Sequence, residues 1–446
     1  MRLGWVLALS LSIPEVPGAG AVTREEAYAE LVPAEAAASP GKGTAVAEGV
    51  DGRVLCGYQG WFRAEGDGSG LGFHHYARGG RFEPGRCGID LWPDLAGFDE
   101  DETFATPFVH PDGTTARVFS SLHPKTVDRH FRWMAEHGID GVFVQRFGVL
   151  AAKPGADPRF LAADNRKLRL CRDAAIRHGR CHALMYDLTG LADDDFERLA
   201  ADWKELRLRM RLGTDANDPS YLRFRGKPLV AVWGIGFGDG RDYGLERAEW
   251  FLRFLKHNPE WGGASLWVGV PYGWRTLDRD SVSDPRLHEV LRLADVISPW
   301  SVGRYATPEQ AVVEAGGRIR EDLAWCRERG AAYVPVVFPG FSWHNLRGGE
   351  APLDAIPRLG GRFLWSQFTA AKGAGATSAY VAMFDELDEA TAILPCRRDP
   401  PDGGGSAFVA YGEDVPPDHY LWLCGEGGRW LRGELPRRGG PQPVPR

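Results

Sequence analysis

Eight short runs of apolar, β-branched and aromatic residues recur along the middle of this chain, each followed by a loop and then an amphipathic stretch. The runs are Val54–Phe62, Gly141–Phe147, Cys181–Leu188, Pro228–Trp233, Ala264–Val270, Asp295–Trp300, Ala332–Phe338 and Ser378–Phe384. Each is near-continuously hydrophobic instead of alternating, the pattern of parallel strands buried on both faces. Between them lie helical patterns at Lys125–His137, Phe160–His178, Asp193–Arg211, Leu245–His257, Asp284–Leu293, Thr307–Arg329 and Gly361–Gly373. Eight such units predict an α/β fold of the (β/α)8 barrel type, spanning residues 51–395. The alternative is a doubly wound open sheet. Its nucleotide-binding form needs a Gly-x-Gly-x-x-Gly turn after the first strand, and none is present. The run Gly234–Gly238 follows a strand but no helix follows it at the right place, so it does not read as a phosphate loop. The connection 63–123 is long and is expected to lie over the C-terminal face of the barrel, where sites form. Residues 396–436 are expected to pack on the barrel as an extension, with Asp418–Leu423 reading as a strand.

The flanks and the composition narrow the function classes. The chain has 446 residues and a formal net charge of -7. A mildly acidic chain has no electrostatic reason to bind nucleic acid. No apolar run reaches the about 18 residues of a membrane span. Residues 1–21 read as a weak export signal, with Arg2, an apolar stretch and Ala19-Gly20-Ala21 as a small-residue cleavage site. The expected location is therefore secreted or periplasmic. Residues 22–50 read as a loosely packed lead-in with a short helix at 23–31, and 437–446 as a disordered tail. Seven cysteines occur without a Cys-x-x-Cys pair, so zinc-ribbon and thioredoxin readings fail. Buried thiols are expected, with room for one or two bridges in an exported chain. No His-Glu-x-x-His and no Gly-x-Ser-x-Gly occurs, and adjacent His74 and His75 on a strand would point to opposite faces. No metal or cofactor is called for. A monomer is expected.

Chemistry in a barrel of this kind sits at the C-terminal strand ends. The last of the eight is the most informative, Phe384-Asp385-Glu386-Leu387-Asp388-Glu389. Four carboxylates fall within five residues. Crowded like charges raise one another's pKa when buried. Glycoside hydrolysis needs two carboxyl groups, one protonated and one ionised. Glu386 and Glu389 are spaced i, i+3, on one side of a turn. The spacing alone suits a solvated acidic loop equally well. Aromatic residues at the ends of strands one, four, five, six and seven favour a sugar cleft, and the chain carries 16 Trp. Asp187 could bind a sugar hydroxyl or cap the turn before Thr189, and His344 could bind a hydroxyl or cap a loop.

These segments resemble a known family. Val54–Phe62, Gly138–Phe147, Met185–Leu188, Phe338–Trp343 and Ala382–Ile393 are similar to the proteins grouped as glycoside hydrolase family 71/99-like, over roughly residues 50–430. Family 99 enzymes are (β/α)8 endo-α-mannosidases that retain configuration and carry Trp-Asn-Glu-Trp-x-Glu after the last strand. The resemblance implies that Glu386 is the base on the sugar 2-hydroxyl, giving an epoxide-like intermediate, and Glu389 the acid/base. Phe384, Asp385 and Leu387 stand where that motif has Trp, Asn and Trp, so both acids are kept while their neighbours differ. The reading is a glycosidase acting on an α-linked polysaccharide or glycan, with Glu386 and Glu389 catalytic. Tyr58, Trp61, Gln145, Tyr186, Asp187, Trp233, Tyr272, Trp300, Trp343 and His344 are expected to line the cleft and bind carbohydrate. The alternatives are a non-catalytic carbohydrate-binding barrel and a glycosidase of other specificity, such as a xylosidase, arabinosidase or α-1,3-glucanase.

Overall fold

The computed structural model of the protein describes residues 22–35, 47–412 and 414–435. The expected export signal at 1–21 and tail at 437–446 lie outside the described residues. Eight parallel strand positions form the centre. They are β1 Val54–Tyr58, β2 Gly141–Phe147, β3 Cys181–Asp187, β4 Lys227–Trp233, β5 Ser265–Val270, β6 Val296–Pro299, a split β7 (Ala332–Tyr333 and Val336–Val337) and β8 Ala379–Val381. Each pairs with the next, and β8 pairs with β1. The first piece of β7 pairs with β6 and the second with β8. Between the pieces, Val334 N–H donates to Ile297 O at 3.0 Å, while Pro335 O accepts from Tyr380 N–H at 2.9 Å. Pro335 has no N–H to give to a ladder, which splits the strand without opening the ring. The chain is a (β/α)8 barrel.

Side-chain alternation divides the strands between two cores. Leu55, Phe143, Ala183, Met185, Leu229, Ala231, Trp267 and Tyr380 fill the barrel. Val54, Cys56, Tyr58, Val142, Val144, Leu184, Tyr186, Val230 and Val232 face outward into the helical layer. That layer includes α1 Arg24–Ala29, α2 Pro124–His137, α3 Pro158–His178, α4 Phe196–Arg209, α5 Leu245–His257, α6 Arg286–Val290, α7 Gly316–Glu328 and α8 Arg362–Ala374. The lead-in is not loose where it is described: α1 packs on α3, Ala27 and Tyr28 are buried, and Thr23 caps the helix.

The expected strand at Asp418–Leu423 is instead the start of α9, His419–Arg432. Its buried residues, among them Tyr420, Leu421, Cys424, Gly428 and Leu431, recur at helical spacing. Gly425 lets it approach the end of α2 closely, because a Cβ there would stand 1.9 Å from His137 O. All seven cysteines are buried and free, so the bridges allowed for an exported chain do not form.

The connection 63–123 carries an antiparallel hairpin, Thr103–Val109 with Thr115–Phe119. It also builds its own aromatic cluster of Tyr76, Phe82, Trp92 and Phe108. It is tied to the top of the barrel at Asp90. That carboxylate accepts from Ser342 Oγ at 2.5 Å, His344 N at 2.7 Å and Asn345 N at 2.8 Å, all in the loop after β7.

Candidate active site

Four carboxylates follow β8, and all four are buried: Asp385, Glu386, Asp388 and Glu389. The loop that carries them folds back on itself, with Thr391 N and Ala392 N donating to Glu386 O at 3.2 and 3.0 Å. Arg358 closes it by donating to Ala390 O at 2.7 Å and Ala392 O at 2.6 Å. Ser342 N donates to Glu389 O at 2.9 Å, joining this loop to the one after β7.

The end of β1 meets these acids. Asp385 accepts from Gln59 N at 2.8 Å and Gly60 N at 2.7 Å. Lys167 of α3 donates to Gln59 O at 3.2 Å and to Gln145 O at 2.6 Å. With its backbone held from both sides, Gln59 donates from Nε2 to Glu386 Oε1 at 2.7 Å. Thr391 Oγ1 donates to the other oxygen of Glu386. Both oxygens of Glu386 thus have donors, whereas Glu389 makes no side-chain hydrogen bond to the described residues.

These environments separate the two glutamates. Burial raises Glu386, the Asp388 charge adds to it, and the bonds from Thr391 and Gln59 pull it back, leaving it at about 8. Burial also raises Glu389, with the charges of Glu386 and Asp388 behind it and no bond to offset them, so it is held well above the carboxylate range. Glu389 is the group that keeps its proton and Glu386 the one that gives it up first. Asp388 is raised to about 8 by burial, and Asp385 to about 6 by burial against its two backbone donors.

The other predicted residues divide into three groups. Gln145 points into the barrel beside Gln59 and is buried, with Oε1 unpartnered. Trp233 and Trp300 meet edge to face at 4.9 Å, both partly exposed, and Gly269 makes room because a Cβ there would stand 2.0 Å from the Trp233 ring. These three lie at the mouth with the acids.

A second group is at the C-terminal face but is already engaged by protein. Trp61 is stacked on His75 at 3.8 Å and on Phe147 at 5.3 Å. Tyr272 has the guanidinium groups of Arg318 and Arg279 over it at 4.7 and 5.7 Å. Arg347 lies over Trp343 at 4.4 Å. Asp187 caps Thr189 N at 2.8 Å, and His344 Nδ1 bonds to Ala351 O at 2.7 Å.

Tyr58 and Tyr186 form the third group, and the expectation that they line the cleft is corrected. Both sit at outward positions of their strands, fully buried behind the barrel wall. Tyr58 Oη bonds to His130 Nδ1 at 2.9 Å, and Tyr186 donates to Asp202 at 2.8 Å. The inward register of β1 runs through Leu55 and Gly57 to Gln59, so Gln59 is the cleft residue that the sequence reading passed over. Applying strand alternation to Val54–Phe62 would have found it. Asp90, His75, Lys167 and Thr391 were missed because they come from a connection, a helix and a turn whose approach to the acids has no local signature.

Protons held by this cluster link stability to pH. Glu386 and Asp388 lie at about 8, and Glu389 is also held well above the carboxylate range. In the unfolded chain such groups titrate near about 4. Between pH 7 and 8 the folded chain therefore binds more protons than the unfolded one, so stability falls as pH rises. Buried histidines such as His75 and His130, each lowered to about 3 by burial, act only below their unfolded value of about 6.5. The melting temperature is expected to fall steadily from pH 7 to 8, and the Glu386→Gln/Asp388→Asn variant to show a flatter profile. A wild-type melting temperature constant across that range would contradict a protonated cluster.

Among the described residues, no group of three or more His, Cys, Asp or Glu side chains is arranged to hold a metal, and no helix is long and apolar enough to cross a membrane. No protein-family model matches the sequence, and neither does any curated protein. Among solved structures, the GH99 endo-alpha-mannosidase from Bacteroides thetaiotaomicron matches with a TM-score of 0.60 at 15% identity, over 86% of this chain and 99% of that one. The structure of that protein in complex with bis-tris-propane gives a TM-score of 0.59 at the same identity and coverage. The likeness is one of fold.

Proposed function

We propose that the protein is a glycoside hydrolase that cleaves an α-linked polysaccharide or glycan with retention. One observation carries the reading. Two buried glutamates stand three residues apart at the end of the last barrel strand, one with donors on both oxygens and the other with none. That is the division of labour glycoside hydrolysis requires. The fold shared with an endo-alpha-mannosidase supports it.

In the first step Glu389 gives its proton to the glycosidic oxygen as the C1–O bond breaks. Glu386, held between Gln59 and Thr391 and the first of the two to give up its proton, acts in its ionised form as the base: it takes the proton of the sugar 2-hydroxyl as that oxygen closes on C1. In the second step the Glu389 carboxylate takes a proton from water as that water attacks C1, the bond between C1 and the 2-oxygen breaks, and Glu386 returns its proton to that oxygen, so both groups are restored. Trp233 and Trp300, partly exposed at the mouth, present aromatic surface to a sugar ring, and Gln145 presents an unpartnered carbonyl to a hydroxyl.

The test is incubation of the purified chain with α-mannans, α-glucans, xylans and arabinans, followed by analysis of released sugars and their initial anomeric configuration. Release from an α-linked glycan with retained configuration is the expected result. Inverted product would remove the retaining mechanism. Binding to a glycan with no release from any would favour a non-catalytic carbohydrate-binding barrel.

A further inference from the structure

Five buried carboxylates meet at the top of the barrel, and the hydrogen-bond donors among them are unequally shared. Asp90 has three donors, Asp385 has two backbone amides, and Glu386 has Gln59 and Thr391. Glu389 has none. Asp388 has a single partner, His75 Nδ1 at 3.0 Å from Oδ2, while its Oδ1 is buried without a hydrogen bond. The amides of Asp388 and Glu389 lie near enough to lower its pKa, but neither is in bonding geometry with Oδ1. Among the cations that act on these acids, Arg347 bears on Glu389 and Lys167 and Arg63 bear on Asp385, and none of the three forms an ion pair with the five carboxylates. An ionised carboxylate with a bare buried oxygen among four other acids is costly, and a neutral acid there costs far less.

His75 is built for one orientation. Its imidazole stacks on Trp61 at 3.8 Å with the planes 7° apart, and His74 and Phe62 close on it edge to face at 4.5 and 6.1 Å. Its backbone is in the left-handed region at φ 63°, uncommon outside glycine. Burial, with the buried Arg63 guanidinium behind it, keeps the ring neutral, lowered to about 3. His74 is lowered as well and adds no charge. The His75 side chain remains 11% accessible, and Nε2 makes no hydrogen bond to the described residues. The indole of Trp61, expected to stack on sugar, is covered by this ring.

We propose that Asp388 is a carboxylic acid that donates from Oδ2 to His75 Nδ1, and so fixes His75 as the Nε2–H tautomer, which faces the cleft as a hydrogen-bond donor to a sugar oxygen. Asp388 is a positioning residue in this scheme, and His75 the group that touches substrate. The donor role rests on the glycosidase reading; the tautomer does not.

The experiment is nitrogen-15 imidazole spectroscopy of the full chain at pH 5 to 7, with His75 assigned by difference against His75→Phe or, where that variant does not fold, against His75→Gln. The expected result is a neutral ring with a proton on Nε2 and an accepting Nδ1. Asp388→Asn, whose amide can donate to the same nitrogen, keeps that pattern, and Asp388→Leu loses it. A wild-type ring protonated on Nδ1 alone, or on both nitrogens, overturns the proposal. In kinetics on the glycan that the wild type cleaves, His75→Phe keeps the ring on Trp61 but lacks the donor, and is expected to lose about 10- to 100-fold in kcat/KM. His75→Gln, with an amide N–H near the Nε2 position, is expected to recover part of that loss. Unchanged kcat/KM in His75→Phe overturns the substrate contact even if the tautomer is as expected. A wild type that cleaves no glycan removes the glycosidase reading and the donor role with it, while the spectra still decide the tautomer.

Discussion

The Glu389→Gln variant is expected to lose about 10²- to 10⁴-fold in kcat, the usual contribution of a general acid, and to fold as the wild type does. Glutamine has nearly the shape of a protonated glutamic acid and, like it, no charge. Glu389 makes no side-chain hydrogen bond to the described residues that the amide would have to replace, and burial among Glu386 and Asp388 already holds it neutral. The substitution therefore removes a transferable proton and little else. A substrate whose leaving group needs no protonation, such as an activated aryl glycoside, should be affected far less in the first step. Released reducing sugar from the productive glycan, measured beside the wild type at equal melting temperature, checks the prediction. Retained activity on a natural glycan would place the acid elsewhere.

The largest stability effect is expected away from the cleft, at Arg146. Its Nε donates to Asp202 at 2.7 Å, and Nη1 reaches Asp164 at 3.1 Å and Asn165 at 2.9 Å, with Nη2 also on Asp202. Tyr28 of the lead-in and Tyr186 of β3 both donate to the same Asp202, at 2.7 and 2.8 Å. Burial pushes the Asp202 carboxyl up, and the guanidinium more than reverses it, so it stays ionised below its usual range. Arg146→Leu would leave that charge buried with only two hydroxyl donors. The expected cost is about 3–5 kcal/mol, read as a lower melting temperature and urea midpoint. Arg146→Leu/Asp202→Leu removes both charges and should recover part of the loss. If the single variant melts with the wild type, the network is not what anchors α1 and α4 to the barrel wall.

The two sites differ in how they could be read from the chain. Asp385–Glu389 was conspicuous because four acids directly after an apolar strand are rare enough to demand an account. Tyr186 reads from the chain as a strand-end residue of equal standing with Gln145 and Asp187. Alternation along β2 and β3 sends Gln145 and Asp187 inward and Arg146 and Tyr186 outward, so neighbours in sequence serve opposite faces of the barrel wall. The aromatic residues misled in another way. Trp61, Tyr272 and Trp343 do sit at the C-terminal face, but His75, Arg318 and Arg347 lie over them. Composition counts aromatic rings and says nothing of what covers each face. Asp418–Leu423 failed because six residues are too few to separate a strand from one and a half turns of helix, and the deciding glycines lie just beyond them.

By itself the sequence determined the barrel, because strands buried on both faces must be apolar throughout and the helices between them must carry one apolar stripe. It also determined that the acids gather after the last strand, since that is a matter of order along the chain. Which carboxyl is charged was decided only by the tertiary structure. Gln59 comes from the first strand, Asp90 and His75 from the connection over the barrel, and Lys167 from a helix, and each reaches the acids across more than two hundred residues of chain. A carboxyl pKa depends on the donors and charges within a few ångströms, and those neighbours are set by folding, not by sequence proximity.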